Sequence, residues 1–212
     1  MKIDRAGFPF IAATVVPAAL LVAMRRYALA APLAALGGFM AFFFRDPERQ
    51  VPQTSGLVVS PADGRVMTAG PSDGRWAPPG SWKQITIFLS PMDVHINRTP
   101  IAGRVTRVDY RPGKFLPAYK ESSNENELNE VWIDHDGRSV VFRQVVGILA
   151  RRIVCRVEEG QVLERGQRIG LMKFGSRMDV FLPTDAALLV AVGDQVVGGE
   201  TVLATLGSDS AR

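Results

Sequence analysis

Residues 170–183, GLMKFGSRMDVFLP, place a glycine directly before a serine at the start of an alternating apolar segment. A Gly-Ser pair is typical of a tight turn, because both residues favour turn conformations. The same peptide bond can also be a reaction site, because a positioned serine hydroxyl is a nucleophile. The rest of the chain has to decide between these two interpretations of Gly175-Ser176.

Two histidines and one aspartate are the next candidates for chemistry. His95 lies in FLSPMDVHINRTP, after an apolar run and among polar residues, which suits a general acid or base. His135 lies in IDHDGR, and we interpret it as a solvated turn residue. Asp63 in SPADGRV precedes a glycine, as in a hairpin turn, yet Ser176, His95 and Asp63 could form a Ser-His-Asp set. The sequence has no Gly-x-Ser-x-Gly segment, so an ordinary hydrolase is poorly supported.

The composition predicts neither a metal centre nor nucleic-acid binding. His95 has Asp93 and Asn97 near it, but a zinc site normally needs three or four ligands. The single cysteine, Cys155, excludes an internal disulfide and a cysteine-based metal cluster. The formal net charge is +4, and residues 1–44 hold +3 of it. The remaining residues are nearly neutral and have no basic stripe for a phosphate backbone.

The positive charge accompanies an apolar N-terminus. Phe8–Met24 and Tyr27–Phe44 are uncharged runs of 17 and 18 residues, separated only by Arg25-Arg26. Each run is near the lower length limit for a membrane-spanning helix, and prolines in both argue against straight helices. We predict that residues 1–46 form a hydrophobic helical anchor, as two spans or as a half-inserted hairpin. A cleaved signal peptide is the alternative, and the second apolar run argues against it.

From residue 47 to residue 212 the sequence is typical of β structure. Short apolar or alternating runs are separated by Gly, Pro and Asp, and no long helical period appears after residue 50. Residues 120–130, KESSNENELNE, are predicted to form a polar, solvent-exposed loop. The predicted strands are Leu57–Ser60, Gln84–Leu89, Val131–Ile133, Ser139–Val146, Met178–Leu182, Ala187–Val192 and Thr201–Leu206.

An internal repeat refines the predicted fold. EEGQVLERGQRIG is repeated 33 residues later as AVGDQVVGGETVL, with Gly193 and Gly199 in the places of Gly160 and Gly166. Paired short strands joined by glycine turns predict a flattened β-barrel or sandwich of the lipoyl or hybrid-motif kind. Lipoyl and biotinyl carrier domains are acylated on the lysine of a Met-Lys pair at a hairpin tip. Met172-Lys173 therefore makes a carrier domain one alternative function.

Several segments occur in one order over about residues 42 to 206. They are FFRDPER, SPADGRV, FLSPMDVHINRTP, GKF, NENE, VVGILARRIVC, the run from Glu159 to Ser176, and DVFLP. Together they resemble the phosphatidylserine decarboxylases, in their short bacterial and archaeal form. The apolar N-terminus is similar to the membrane-associating segment of that family.

The resemblance implies that the protein itself cuts the Gly175-Ser176 bond. The hydroxyl of Ser176 would attack the carbonyl carbon of Gly175, and elimination would separate residues 1–175 (β chain) from residues 176–212 (α chain). Residue 176 would become a pyruvoyl group, the covalent cofactor, which forms a Schiff base with the serine head group and accepts electrons as carbon dioxide leaves. The implied activity converts phosphatidylserine to phosphatidylethanolamine.

The resemblance also assigns roles to individual residues. Ser176 is the pyruvoyl precursor, Asp63 matches the aspartate of the self-cleavage triad, and His95 matches the histidine that donates a proton after decarboxylation. Longer members have a second histidine where this chain has Arg98, which cannot act as a base at neutral pH. Either His95 serves both stages, which we favour, or cleavage uses another arrangement. Asn97 and Arg98 are the candidate substrate-binding residues.

The implied partners are phosphatidylserine in a bacterial inner membrane and the two cleavage products, which would remain together; higher oligomers are left open. Three other functions stay open at this point. They are a carrier domain acylated at Lys173, a pyruvoyl-dependent decarboxylase of a soluble amino acid, and a membrane-anchored adaptor without chemistry. The apolar N-terminus argues against a soluble substrate.

Overall fold

The chain folds into two compact units, Met1–Glu48 and Arg49–Arg212. Gly175, one half of the predicted cleavage site, lies outside the described residues, and the predicted division of the chain after it stays a prediction. The computed structural model describes residues 2–118, 121–147, 153–173 and 176–207.

The first unit is a helical hairpin closed by a short antiparallel sheet. Its elements are β1 (Lys2–Ile3), a 3₁₀ turn (Arg5–Gly7), α1 (Phe8–Ala23), α2 (Tyr27–Phe43) and β2 (Arg45–Asp46), with β1 paired to β2. One helical stretch, Arg5–Ala23, is long and apolar enough to cross a membrane by length and composition, and α2 is a shorter apolar helix. The predicted apolar N-terminal helices are therefore confirmed.

Both helices continue through their prolines, since Pro17 lies inside α1 and Pro32 inside α2. The two helices approach each other closely at Gly37. A β-carbon there would lie 2.8 Å from Val15 Cγ2 and 3.0 Å from Thr14 Oγ1. A larger residue at this position would push the helices apart, so glycine is what allows the close packing of the hairpin.

The second unit is built from antiparallel sheets, which confirms the mainly β class. Its strands are β3 (Leu57–Val59), β4 (Gly64–Pro71), β5 (Lys83–Leu89), β6 (Ile96–Arg98), β7 (Gly103–Arg111), β8 (Leu128–His135), β9 (Arg138–Val146), β10 (Ile153–Cys155), β11 (Val162–Leu163), β12 (Arg168–Met172), β13 (Ser176–Leu182), β14 (Ala187–Leu188), β15 (Gln195–Val196) and β16 (Val202–Thr205). One sheet has the order β11-β7-β8-β9-β13-β5-β4-β15, and two smaller sheets have the orders β10-β12-β6 and β14-β16-β3. The closer likeness to a lipoyl domain stays a prediction.

The large sheet has two different faces. Its inner face carries the hydrophobic core, to which β5 contributes Ile85 and Ile87 and β13 contributes Met178, all fully buried. Because side chains alternate along a strand, Arg177 and Asp179 project from the opposite, outer face of β13. Those two side chains are also buried, and they form an ion pair of 3.0 Å between Nη2 and Oδ2.

The prediction that residues 120–130 form an exposed loop is wrong for residues 123–130, most of which are buried, and Lys120 lies outside the described residues. Ser123 and Glu130 are buried against the outer face of the large sheet. Ser123 accepts a hydrogen bond of 2.6 Å from Arg177 Nη1, and Glu130 forms an ion pair with the buried Arg143. The segment is polar because it satisfies buried arginines, and its composition alone resembles that of a solvent-exposed loop.

The predicted glycine repeat corresponds to two similar turns. The repeat glycines have φ values of 83°, 73°, 102° and 81°, at Gly160, Gly166, Gly193 and Gly199. Gly166 N–H donates to Thr99 O at 2.9 Å, and Gly199 N–H donates to Ser60 O at 2.7 Å. Positive φ favours glycine, so the repeat is imposed by the backbone.

The segments that accept these bonds form a second repeat, which we call the first arm (residues 57–66) and the second arm (residues 96–105). Val59 N–H donates to Pro100 O and Arg98 N–H donates to Pro61 O, both at 2.8 Å, so the arms contact each other reciprocally. The arms also pair with β16 and β12 in the same register, with a bulge in the same place. A residue of the first arm therefore corresponds to the residue 39 positions later.

Candidate active site

Ser176 is the first residue of β13 and is completely buried. It lies between Leu89 at the end of β5 and Val146 at the end of β9. Alternation along β13 places its side chain on the inner face, with that of Met178. Its Oγ has no hydrogen-bond partner among the described residues, and a buried hydroxyl without a partner is uncommon.

His95 ends the loop that follows β5, and only 1% of its surface is exposed. Its Nδ1 lies 3.0 Å from Asp93 O. A carbonyl oxygen only accepts, so Nδ1 carries the proton and Nε2 of the neutral ring is the basic nitrogen. The Asp93 carboxylate accepts the Ser90 N–H at 2.7 Å, which closes the loop that orients the ring.

Asp63 lies immediately before β4, and its carboxylate already has partners. Arg49 Nη2 donates to its two oxygens at 3.0 and 2.8 Å, and Gly198 N–H donates to Oδ1 at 2.8 Å. A hydrogen bond between Asp63 and His95 is not among the described contacts of this carboxylate. Arg49, the last residue of the FFRDPER segment, was not among the predicted site residues.

The strand order brings the three predicted catalytic residues to one edge of the large sheet. β4, β5 and β13 are neighbours, and Asp63 precedes β4, His95 closes the loop after β5, and Ser176 begins β13. Asp63 is two strands away from Ser176, which corresponds to about 10 Å between backbones. The fold therefore gathers these residues, which are far apart in the sequence.

Arg98 lies beside the Asp63 turn. Its Nη1 donates to Gly166 O at 2.9 Å. A β-carbon on Gly199 would lie 2.9 Å from Arg98 Cδ and 3.6 Å from Arg49 Cβ. Two arginines thus surround the turn that binds the Asp63 carboxylate, and the electrostatic environment of this aspartate is cationic.

Three buried amides form a row near Ser176, with Gln144 and Asn129 on the large sheet and Asn97 on β6. Of these three residues, only Asn97 was predicted from the sequence. Gln144 Nε2 donates to Asn97 Oδ1 at 2.9 Å, and Asn129 Nδ2 donates to Gln144 Oε1 at 3.2 Å. Asn97 Nδ2 is buried and has no partner among the described residues. His95 directly precedes β6, the strand that carries Asn97.

His135 is half-buried and not solvated, which corrects its interpretation as an exposed turn residue. It ends β8, and its Nδ1 lies 2.8 Å from Ala102 O. Its partner on β9 is Arg138, whereas Ser176 pairs with Val146 at the other end of that strand. Eight residues of extended strand separate the two ends by about 26 Å, so His135 does not belong to this site.

Lys173 is not on the tip of a hairpin. It follows β12, which pairs with β10 and β6, whereas the next strand, β13, pairs with β5 and β9. The connection between β12 and β13 therefore passes from one sheet to another. Carrier lysines lie at exposed tips, so the half-buried Lys173 does not favour acylation.

Comparison with known proteins points to one family. A family model described as phosphatidylserine decarboxylase matches residues 36–204. A protein from Symbiobacterium thermophilum named phosphatidylserine decarboxylase proenzyme is 48% identical over 206 residues, which cover 96% of this chain and 95% of that protein. Proteins of the same name from Desulfotalea psychrophila and Paramagnetospirillum magneticum are 46% and 43% identical, over 78% and 97% of this chain and 78% and 88% of theirs.

Proposed function

This chain belongs to the phosphatidylserine decarboxylase family, and we propose that it converts phosphatidylserine to phosphatidylethanolamine and carbon dioxide after cutting itself between Gly175 and Ser176. One observation carries the proposal for the site. Ser176 is buried at the head of β13, directly after a glycine, with a hydroxyl that has no partner among the described residues. The relatives are named proenzymes, which supports a maturation step.

Self-cleavage needs a nucleophile, a base and a carbonyl carbon that the nucleophile can reach. The Ser176 hydroxyl attacks the carbonyl carbon of Gly175, and glycine has no side chain to obstruct the approach. His95 Nε2 is the base that takes the hydroxyl proton, because Nδ1 is engaged by Asp93 O. The amide is replaced by an ester, and elimination of that ester separates the two chains. Attack within one chain gains from proximity.

The surroundings of position 176 fit a pyruvoyl group, because the group is made from this buried residue and is no larger than a few atoms. Such a group supplies a ketone that accepts the electrons released as carbon dioxide departs. The chain itself shields position 176 from water by burial, and His95, when it is protonated at Nε2, donates that proton to the product. Asn97 and Arg98, which follow His95 and Ile96 along the chain, are the proposed substrate-binding residues.

The two products would stay together as a heterodimer. β13 belongs to the short product, and all of its residues from Ser176 to Leu182 are paired with β5 of the long product. Its other side is paired with β9 over Ser176 to Phe181. A strand in the middle of a sheet keeps both sets of backbone hydrogen bonds after one peptide bond is cut.

Membrane association is part of the proposal and rests on the first unit. The helix hairpin exposes large apolar side chains, including Phe8, Leu20 and Leu29 at 57%, 61% and 56%. Such side chains favour a lipid environment over water.

Removing residues 1–48 should leave a soluble barrel that still cuts itself. This barrel should have weak activity on vesicles and nearly full activity on a dispersed short-chain substrate. Undiminished vesicle binding would assign the membrane contact to another surface.

The central experiment is mass spectrometry of the purified protein together with a denaturing gel. We expect a fragment of residues 1–175 and one of 37 residues whose N-terminus is blocked, and Ser176→Ala should stay uncut and inactive. A single active chain of 212 residues would contradict the proposal. Biotin or lipoate on Lys173 would favour the carrier, and equal release of carbon dioxide from free serine and from phosphatidylserine vesicles would favour a soluble substrate.

A further inference from the structure

We infer that the Asn97 side-chain N–H stabilises the negative charge that forms on the Gly175 carbonyl oxygen during self-cleavage, and that Gln144 is a positioning residue for this donor. The inference rests on the proposed self-cleavage at Gly175-Ser176. It concerns the cutting of the chain and not the later turnover of substrate.

The amide row determines which way the Asn97 side chain faces. Its Oδ1 accepts from Gln144 Nε2 at 2.9 Å, and Gln144 is held in turn by Asn129 Nδ2 at 3.2 Å. Since an amide has one oxygen and one nitrogen, these bonds turn Asn97 Nδ2 away from Gln144. A buried donor without a partner is unfavourable because its lost hydration is not replaced, so Asn97 Nδ2 is suited to an acceptor that forms during function.

The position of the amide row points to the cleavage junction as the source of that acceptor. Gln144 is two residues from Val146, the partner of Ser176 on β9, and both lie on the inner face. Diagonal neighbours of this kind are about 7–8 Å apart. From the other side, Asn97 pairs with Gly170 on β12, and only three residues separate the end of β12 from Ser176.

The first arm shows that the fold does not need an amide at this place. Asn97 corresponds to Val58, which occupies the same position in the register of the other small sheet. Val58 is fully buried and belongs to the hydrophobic core. The same backbone therefore accepts an aliphatic side chain, and a buried polar row in its place points to chemistry.

The attack of the Ser176 hydroxyl on the Gly175 carbonyl is the step that needs the donor. The Ser176 Oγ–carbon bond forms at the Gly175 carbonyl, the π electrons move to the carbonyl oxygen, and Asn97 N–H donates to that oxygen. The hydroxyl proton passes to His95 Nε2 and from there to the nitrogen of residue 176. The carbonyl re-forms as the carbon–nitrogen bond breaks, leaving an ester. A donor already in place needs no reorganisation when the charge appears.

The test is the rate of band conversion on a denaturing gel, which does not depend on decarboxylase activity. Asn97→Val, which installs the residue of the first arm, should slow conversion by about a hundred- to a thousandfold. Gln144→Ala should slow it by about ten- to a hundredfold, because the donor is present but no longer held. The control is Gln84→Ala, which removes an amide that bonds to Thr86 on the outer face, and it should convert at the wild-type rate.

A double-mutant cycle separates positioning from a structural role. If Gln144 acts only through Asn97, then Gln144→Ala should slow conversion no further in the Asn97→Val background. Thermal unfolding of each variant is measured in the uncut Ser176→Ala background. Should Asn97→Val unfold, Asn97→Asp repeats the measurement with the side-chain shape kept and the donor removed.

Conversion of Asn97→Val or Asn97→Asp at the wild-type rate would overturn the inference. The same holds if conversion is normal and only carbon dioxide release is lost, because the amide would then serve substrate binding. Independent, additive effects would overturn the positioning role of Gln144. A wild-type chain that is never cut would refute the proposed function instead.

Discussion

The two arms of the second unit, residues 57–66 and 96–105, share a backbone and differ in a few side chains. Ser60 Oγ and Thr99 Oγ1 each donate to the carbonyl two residues further on, at 2.6 and 2.7 Å. The carbonyl oxygens of the same two residues each accept a glycine N–H from the sequence repeat. The backbone contacts and hydroxyls that the arms share are explained by the fold. The side chains that differ between the arms are therefore candidates for a functional role.

The differences fall at the candidate active site. Asp63 of the first arm corresponds to Ala102, and Asn97 of the second arm corresponds to Val58. His95, directly before the second arm, corresponds to Gly56. The first arm thus contributes one polar residue that its counterpart lacks, and the second arm contributes two, because Arg98 corresponds to Val59. For each such position, the equivalent residue of the other arm shows which side chain the same backbone tolerates. That residue is therefore a suitable substitution for testing function.

The largest effect is expected from His95→Ala, which removes the histidine that the first arm lacks. A general acid or base contributes about a hundred- to ten-thousandfold to rate, or about 3–5 kcal/mol of barrier. Both maturation and turnover of the matured fraction should slow, as measured by band conversion and by carbon dioxide release. His135→Ala should do neither, because that side chain lies at the other end of the sheet.

Maturation of His95→Ala at the wild-type rate, with decarboxylation lost, would show that a different group activates Ser176. Arg98→His in the His95→Ala background sharpens this test. It places a histidine beside the Asp63 turn, so recovery of cleavage there would locate the alternative base.

Asp63→Ala, which installs the residue of the second arm, should slow maturation by about a hundredfold, the lower end for an acid–base group and its partners. The free energy of unfolding should fall by only about 1 kcal/mol, because the ion pair with Arg49 is partly exposed, with side chains at 13% and 18%. Band conversion and denaturant unfolding measure the two quantities. Asp73→Ala, at an exposed turn, is the control, and a large loss of stability with normal maturation would make Asp63 structural.

Gly64→Ala and Gly103→Ala should destabilise the barrel to the same extent, by about 2–4 kcal/mol each. A β-carbon on Gly64 would lie 2.2 Å from Phe88 O, and one on Gly103 would lie 2.3 Å from Asp134 O. Denaturant unfolding of the uncut Ser176→Ala chain measures both. Gly70→Ala is the control, since its φ of 158° is similar but a β-carbon there meets nothing within 4 Å. Unequal losses would refute the equivalence of the arms.

The smallest effects are expected from the two hydroxyls that the arms share. Ser60→Ala and Thr99→Val should each reduce the free energy of unfolding by about 1 kcal/mol, the usual contribution of one hydrogen bond. Neither should change the rate of band conversion. Slow maturation of only one of the two variants would show that a hydroxyl shared by both arms has a catalytic role in one of them. The shared residues would then not be purely structural.

Strands with continuous apolar runs were predictable, and strands with polar faces were not. Gln84–Leu89 and Ser139–Val146 are found as Lys83–Leu89 and Arg138–Val146. The prediction missed β4 (Gly64–Pro71), in which buried and exposed residues are mixed with glycine. Such a segment becomes a strand because its neighbours β5 and β15 supply hydrogen bonds, and that pairing is not visible in its own residues.

The sequence by itself determined the chemical inventory: a serine after a glycine, one histidine among polar residues, an Asp-Gly turn and an apolar N-terminus. These are properties of side chains and of short runs, so they are readable without knowing which strands pair. Only the tertiary structure decided that the Asp63 carboxylate binds Arg49 and that the Asn97 amide is oriented by Gln144, 47 residues away. Contacts of this kind arise where strands from distant parts of the chain meet, and no local pattern encodes which partner a buried polar group will find.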